Sequence, residues 1–364
     1  MKPASKMSYI SFVIICALLS ATDARAMHIA EGILPFDWAA VWFAVALPFV
    51  AWGLYRLKKR SADDLSFKPL VGLMAAVVFI ISCMPIPVPF AGTCSHPCGT
   101  GISGILVGPA ISIVITAVAL LLQALFLAHG GLSTWGADIV SMGVMGSVAG
   151  YAAFRILRSM NVSLWFSGFM AGMLADWATY FTTSIELAAG IKGDAAFLPL
   201  FGKILIAFVP TQLPLGILEG AMTAGMVVLL FRKRPDLLIK MGVIKAGKMV
   251  TGKDSVMALV ICFFITGIVL SAPVSADASS WKGVDETVIE KVANEHGRGS
   301  KPLFIDLEDQ GDLPLFLFLI AGVVGGFGAG YAWRMLVAEK AAASQTEKAK
   351  EGLSETRPAT EKRR

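Results

Sequence analysis

The chain predicts an all-α fold: a polytopic transmembrane helical bundle of about six or seven spans, followed by a C-terminal two-span domain. Hydrophobic residues make up 56% of its 364 residues and charged residues only 16%, and the mean hydropathy is +0.71. A water-soluble globule of this length has no use for so much apolar surface. The apolar residues fall in long, nearly charge-free runs. A run of about 20 residues satisfies its own backbone as a helix while crossing about 30 Å of hydrocarbon. The net charge of +5 follows from basic loops, and no basic patch with interleaved aromatics points to nucleic acid.

In chain order, Lys2 and Lys6 precede the short apolar run Ile10–Leu19, and Ala24-Arg25-Ala26 supplies the small-x-small pattern accepted by signal peptidase. Residues 1–26 therefore read as a cleavable signal peptide. The alternative is an uncleaved anchor, for which the run is short. Residues 27–232 form a membrane domain with spans expected at Phe36–Tyr55, Pro69–Phe90, Gly101–Ala128, Ala137–Phe154, Ser163–Ala189 and Leu198–Phe231. Residues 233–254 are a basic cytoplasmic linker. Residues 255–340, with runs at Ser255–Ala272 and Leu313–Val337 around a polar extracytoplasmic loop, read as a small separate domain. Gly322, Gly326 and Gly330 give its last span a small-residue packing stripe. The charged, aperiodic tail 341–364 reads as disordered.

Charge sets the orientation. With the mature N-terminus outside, Arg56, Lys58, Lys59 and Arg60 fall inside, as Arg232, Lys233 and Arg234 should. Uninterrupted crossings between these clusters would put the second one outside, so one segment must be split or re-entrant. Leu198–Phe231, overlong and holding Pro210 and Pro214, is the expected one. Arg155 and Arg158 fit this scheme poorly. The multi-pass chain would sit in the inner (plasma) membrane, surrounded by lipid bilayer.

Cleavage after Ala26 would leave Met27-His28 at a free N-terminus. The Met27 amine, the His28 amide and the His28 imidazole can then chelate one metal ion through fused five- and six-membered rings. A fourth position remains, which an imidazole such as His96 can fill. Planar all-nitrogen ligation suits Ni(II) or Cu(II) better than tetrahedral Zn(II). His129 reads as an interfacial or loop residue and His296 as solvated.

Several stretches carry a family resemblance: Met27-His28-Ile29-Ala30-Glu31-Gly32-Ile33-Leu34-Pro35, Cys94-Ser95-His96-Pro97 with Gly99-Thr100-Gly101, Gln123-Ala124-Leu125, Ala128-His129-Gly130-Gly131-Leu132, and Thr211-Gln212-Leu213-Pro214 with Glu219-Gly220. Over about Met27 to Leu230 the chain resembles the CbiM/NikM family, the substrate-binding membrane subunits of energy-coupling-factor nickel and cobalt importers. The resemblance implies that Met27, His28 and His96 hold a transported Ni2+ or Co2+, with nickel slightly favoured. It also implies a transmembrane coupling (T) subunit and cytoplasmic ABC-type ATPase subunits as partners, so ATP hydrolysis is expected on them and this chain is not an enzyme. The C-terminal domain is similar, more loosely, to the CbiN/NikN type. Its Trp281–Ala293 stretch lacks the literal Pro-Asp-Gly-Leu-Glu motif.

The remaining motifs carry less. Gly99-Thr100-Gly101-Ile102-Ser103-Gly104 spells G-x-G-x-x-G without a preceding strand, and no P-loop or H-E-x-x-H occurs, so no organic cofactor is expected. Cys94 and Cys98 read as small buried thiols or an oxidised pair. The intramembrane acids Asp138, Asp176, Glu186 and Glu219 need reasons. They either pair with backbone and hydroxyl groups between helices, or support the metal ligands, a role in which Glu31, Asp138, Asp176 and Glu219 are candidates. A secondary metal permease and a metal-binding sensor without transport remain alternatives.

Overall fold

A computed structural model describes residues 28–64, 67–84, 86–88, 93–127, 129–244, 282–283 and 285–299, with 330, 331 and 334. The expected signal peptide, Met27, the charged tail, and most of the expected linker and two-span domain, with Gly322 and Gly326, lie outside these residues.

The fold is the expected all-α bundle. Helix α1 (Phe36–Asp63) starts behind Pro35 and ends among the basic residues, with Arg60 in its last turn. Helix α2 (Phe67–Ser82) has 16 residues and stops well short of Phe90. Strands β1 (Ile86–Val88) and β2 (Thr93–Ser95) then pair antiparallel. Helices α3 (Thr100–Val107) and α4 (Pro109–Phe126) follow, then α5 (Trp135–Ser159), whose middle Ile139–Gly146 is π-helical. Helices α6 (Leu164–Ile191) and α7 (Phe197–Lys233) make the most extensive helix contact, and α8 (Pro235–Lys240) turns back beneath them. Farther along, β3 (Lys282–Gly283) precedes a π-helical turn and α9 (Lys291–Glu295). Among the described residues, four helices are long and apolar enough to cross a membrane: α1, α4, α5 and α7. Helix α2 is apolar but shorter, and α6 has the length but carries Asp176 and Glu186.

The split segment is not the expected one. Helix α7 runs unbroken for 37 residues through Pro210 and Pro214. Each proline removes one hydrogen bond, freeing the carbonyls of Ile206 and Pro210, yet the packing of α6 along α7 keeps the helix continuous, and Trp177 Nε1 on α6 donates to the Gln212 carbonyl at 3.0 Å. The break falls instead in Gly101–Ala128. Gly108, at φ +85° and followed by proline, ends α3 after 8 residues and starts α4. The pair enters and returns, so α4 rises from the basic end to the histidine end and α5 descends again. This explains Arg155, which shares one cavity with Arg56, Arg60 and Pro109. A hydroxyl chain, Ser103–Ser112–Ser147, joins α3, α4 and α5, with Ser112 Oγ and Ser147 Oγ 2.7 Å apart.

Helices α3, α6 and α7 meet through glycine. A Cβ on Gly101 would lie 2.7 Å from Gly172 Cα, and one on Gly172 would lie 2.6 Å from the Glu219 carbonyl oxygen. Both obstacles are backbone and cannot swing away. Gly172→Val is expected to destabilise the bundle by about 1–3 kcal/mol through overpacking. Gly202→Ala, where nothing lies within 4 Å, should be neutral or stabilising; thermal unfolding in detergent compares the two.

Candidate metal centre

The segment after Met27 enters the bundle as an irregular strand, and its backbone polar groups are taken up by the α4–α5 connection. The Ile29 N–H donates to Asp138 Oδ1 at 3.1 Å. The Ile29 carbonyl accepts from Gly131 N–H at 3.2 Å and from the Thr134 hydroxyl. Glu31 Oε2 accepts from Ser133 N–H at 3.0 Å. Gly130, at φ +86°, lies against His28; a Cβ there would come within 2.9 Å of His28 Cβ. The Cβ-free left-handed turn therefore lets the two segments touch.

Three imidazoles meet above this strap. His28 and His96 are buried and His129 is partly buried. Their ring nitrogens include one from each residue lying within 4.8 Å of one another. Ring centroids are 5.1 Å apart for His28–His96 and 4.9 Å for each pair with His129. Burial, chiefly, holds His28 down at about 4; burial and then the neighbouring His28 hold His96 at about 3. Burial followed by the two other imidazoles pushes His129 well below its ordinary value. All three rings are thus neutral near pH 7, the form that ligates a metal.

A chain of hydrogen bonds fixes the His28 tautomer. Ser82 Oγ donates to the Val78 carbonyl at 2.7 Å, so its lone pairs accept from Gln123 Nε2 at 2.6 Å. That orients Gln123 Oε1 toward His28 Nε2, 2.9 Å away. An amide oxygen only accepts, so Nε2 carries the proton and Nδ1 carries the lone pair. Nδ1 is the nitrogen that closes a six-membered ring with the His28 amide. The second half is built differently. His96 Nδ1 lies 3.4 Å from the Pro97 carbonyl, while its Nε2 lies 2.8 Å from His129 Nε2. One proton must sit between those two nitrogens.

The acids hold backbone. Glu219 on α7 accepts from the Cys98 and Gly99 amides at 2.7 and 2.9 Å, fixing the loop behind His96 at the start of α3. Asp138 and Glu31 hold the N-terminal strap. Asp176 is reached by the Cys98 thiol at 3.9 Å, and its Oδ2 makes no hydrogen bond. Cys98 is a buried free thiol, and burial pushes it well up. The side chain of Cys94 lies outside the described residues, as does Met27.

The C-terminal half reaches the same site. Strand β3 adds in parallel to β2, pairing Thr93 with Lys282 and Cys94 with Gly283, directly before His96. Arg298 Nε donates to the Ile33 carbonyl at 3.2 Å, and Glu295 pairs with Lys203 on α7. One short stretch thus touches both the loop of His96 and the strap of His28.

The sequence singled out Met27, His28 and His96 as ligands and put His129 in a loop role; the structure brings the imidazoles of His28, His96 and His129 together. That reading also missed Gln123 as the group that orients His28. The position of both residues on or just beyond one helix, with His129 six residues after Gln123, is the signal available in the sequence.

The fold and this cluster define a polytopic membrane protein with a buried, neutral imidazole centre near its N-terminal segment. Residues 28–237 match the family described as CbiM, cobalt uptake substrate-specific transmembrane region, and the chain belongs to that family. It is 64% identical over 329 residues to a cobalt transport protein CbiM of Geobacter sulfurreducens, covering 90% of this chain and 94% of that protein. It is 55% identical over 219 residues to the CbiM of Sorangium cellulosum, covering 60% and 97%. A crystal structure of a transition metal transporter shares the fold at TM-score 0.50 and 24% identity, over 57% of this chain and 93% of that one.

If Gln123 sets the His28 tautomer, Gln123→Leu should weaken Co2+ binding about 10–100-fold while leaving the folded bundle intact. Isothermal titration of the purified variant, alongside its unfolding temperature, reads both.

Proposed function

We propose that this chain captures Co2+ or Ni2+ from outside the cell as the membrane-embedded substrate subunit of an energy-coupling-factor importer in the inner membrane. The carrying observation is the approach of three neutral imidazoles, with His28 Nδ1 left as a lone pair by Gln123. The 2.8 Å between His96 Nε2 and His129 Nε2 also supports the reading. Two nitrogens bonded at about 2.0 Å to one ion, at right angles, lie about 2.8 Å apart. An ion entering there would take both Nε2 lone pairs, the shared proton passing to the donor ring's own Nδ1 so that both imidazoles stay neutral.

The Met27 amine and His28 amide would complete the ligand set after cleavage at Ala26. His129 supplies one nitrogen more than a planar four-donor site needs. With the cobalt names of the relatives, this moves the preference from nickel to cobalt, with nickel close behind. Glu31, Asp138 and Glu219 would act through the backbone that carries the ligands, and Asp176 from behind Cys98. Contacts of the 282–299 stretch suit a clamp that keeps both halves of the site closed for loading. A coupling subunit and ABC-type ATPases would supply the energy.

Placing Gly-Ser ahead of Met27 in a leaderless form removes the amine and should abolish tight Co2+ binding; unchanged affinity rules out the N-terminal chelate. His129→Ala should lower affinity beyond the roughly 10–100-fold loss of an outer partner, and wild-type affinity in that variant would return His129 to a structural role. Radioactive Co2+ uptake should vanish in cells lacking the ATPases. Persisting uptake would instead identify a secondary carrier.

A further inference from the structure

At the end of the bundle opposite the histidines lies a cavity of about 540 Å³ that ion capture does not use. Its walls are α1, the α3–α4 turn, α5, and the turn after α8. Arg56, Lys59 and Arg60 from α1 and Arg155 from α5 line it, against one acid, Asp63. Among the described residues none of these four cations stands in an ion pair.

Their contacts are with neutral groups. Arg60 lies 4.5 Å over the Phe67 ring and reaches Met241 Sδ at 3.8 Å, while Arg155 donates to the Gly242 carbonyl at 3.3 Å. Helix α4 begins at this wall and α3 ends at it, with Val107 and Pro109 both in the lining, so their opposed dipole ends meet there and the side-chain charges set the field. With Asp63 in the wall and Asp64 close to Arg60, the four cations still leave a net positive charge around the void, which an anion would offset.

One side of the cavity meets the lipid-facing surface. Trp52, which lines it, is 45% exposed, and Leu54 and Tyr55 beside it are 51% and 61% exposed. An occupant can therefore carry acyl chains along α1 while its head enters the basic void. The positive-inside rule assigns this end to the cytoplasmic leaflet.

We propose that this cavity binds the phosphate of an anionic phospholipid headgroup. Arginine forks match phosphate oxygens in pairs, and basic pockets between membrane helices on the cytoplasmic side take anionic headgroups. A zwitterionic headgroup carries its own cation and offsets less of the positive charge, so an anionic one is favoured.

The test titrates the purified full-length chain in detergent with short-chain phosphatidylglycerol, short-chain phosphatidylcholine and glycerol phosphate, reading binding by thermal shift. Phosphatidylglycerol should bind well ahead of both others. At about fivefold per cation removed, Arg56→Gln with Arg155→Gln should weaken it on the order of 25-fold, with Co2+ affinity unchanged as the check that the bundle is intact. Equal binding of phosphatidylcholine, or undiminished binding by the double variant, overturns the proposal. Glycerol phosphate binding as tightly as the lipid would replace the lipid with a soluble phosphate. Should the double variant misfold, Lys59→Gln, on an exposed side chain, is expected to give the single fivefold loss, and wild-type binding by it counts against the site.

Discussion

The site depends on the backbone of one residue, Ile29. Its N–H and its carbonyl are both held, by Asp138 on one side and by Gly131 and Thr134 on the other. The strap they hold has no regular structure of its own, so each unmade bond would leave a peptide group unsatisfied in a place poor in water. These bonds bring His28 under Gly130 and within reach of Gln123. Without them the first two residues of a processed chain would be free ends, and an amine–amide–imidazole chelate would have to be ordered anew for every ion.

The same economy of backbone bonds accounts for three of the acids. Asp138, Glu31 and Glu219 each accept main-chain N–H groups, and each N–H belongs to a segment that carries or adjoins a histidine. The distinction between a structural acid and a supporting acid, open from the sequence, does not arise for them: they shape the site by holding its backbone. Asp176 differs, because one of its oxygens faces no donor.

The class of fold was legible because hydrocarbon imposes length and polarity on every run that crosses it. His28 and His96 were legible because each sits in a dense local pattern. His129 lies in such a pattern too, Ala128–Leu132, but its place beside the other two comes from a return of the chain at Gly108 and Pro109, which the apolar run passes over without interruption. Pro210 and Pro214 misled for a related reason. Each proline costs a long helix one hydrogen bond, and the close packing of α7 along α6 keeps it continuous across both sites. Once the break moves to Gly108, the arginines of α5 fall at the basic end without special assumptions.

That break has a mechanical side. Helix α3 is 8 residues long, a rod of about 12 Å at 1.5 Å per residue. Its upper end is the Cys98–Gly99 turn behind His96, and its lower end is the wall of the cationic cavity. Glycine contacts and the serine chain leave it no slack against its neighbours. The histidine loop and the wall of the cavity are thus the two ends of one short rod, about a single helix turn from either end to its middle.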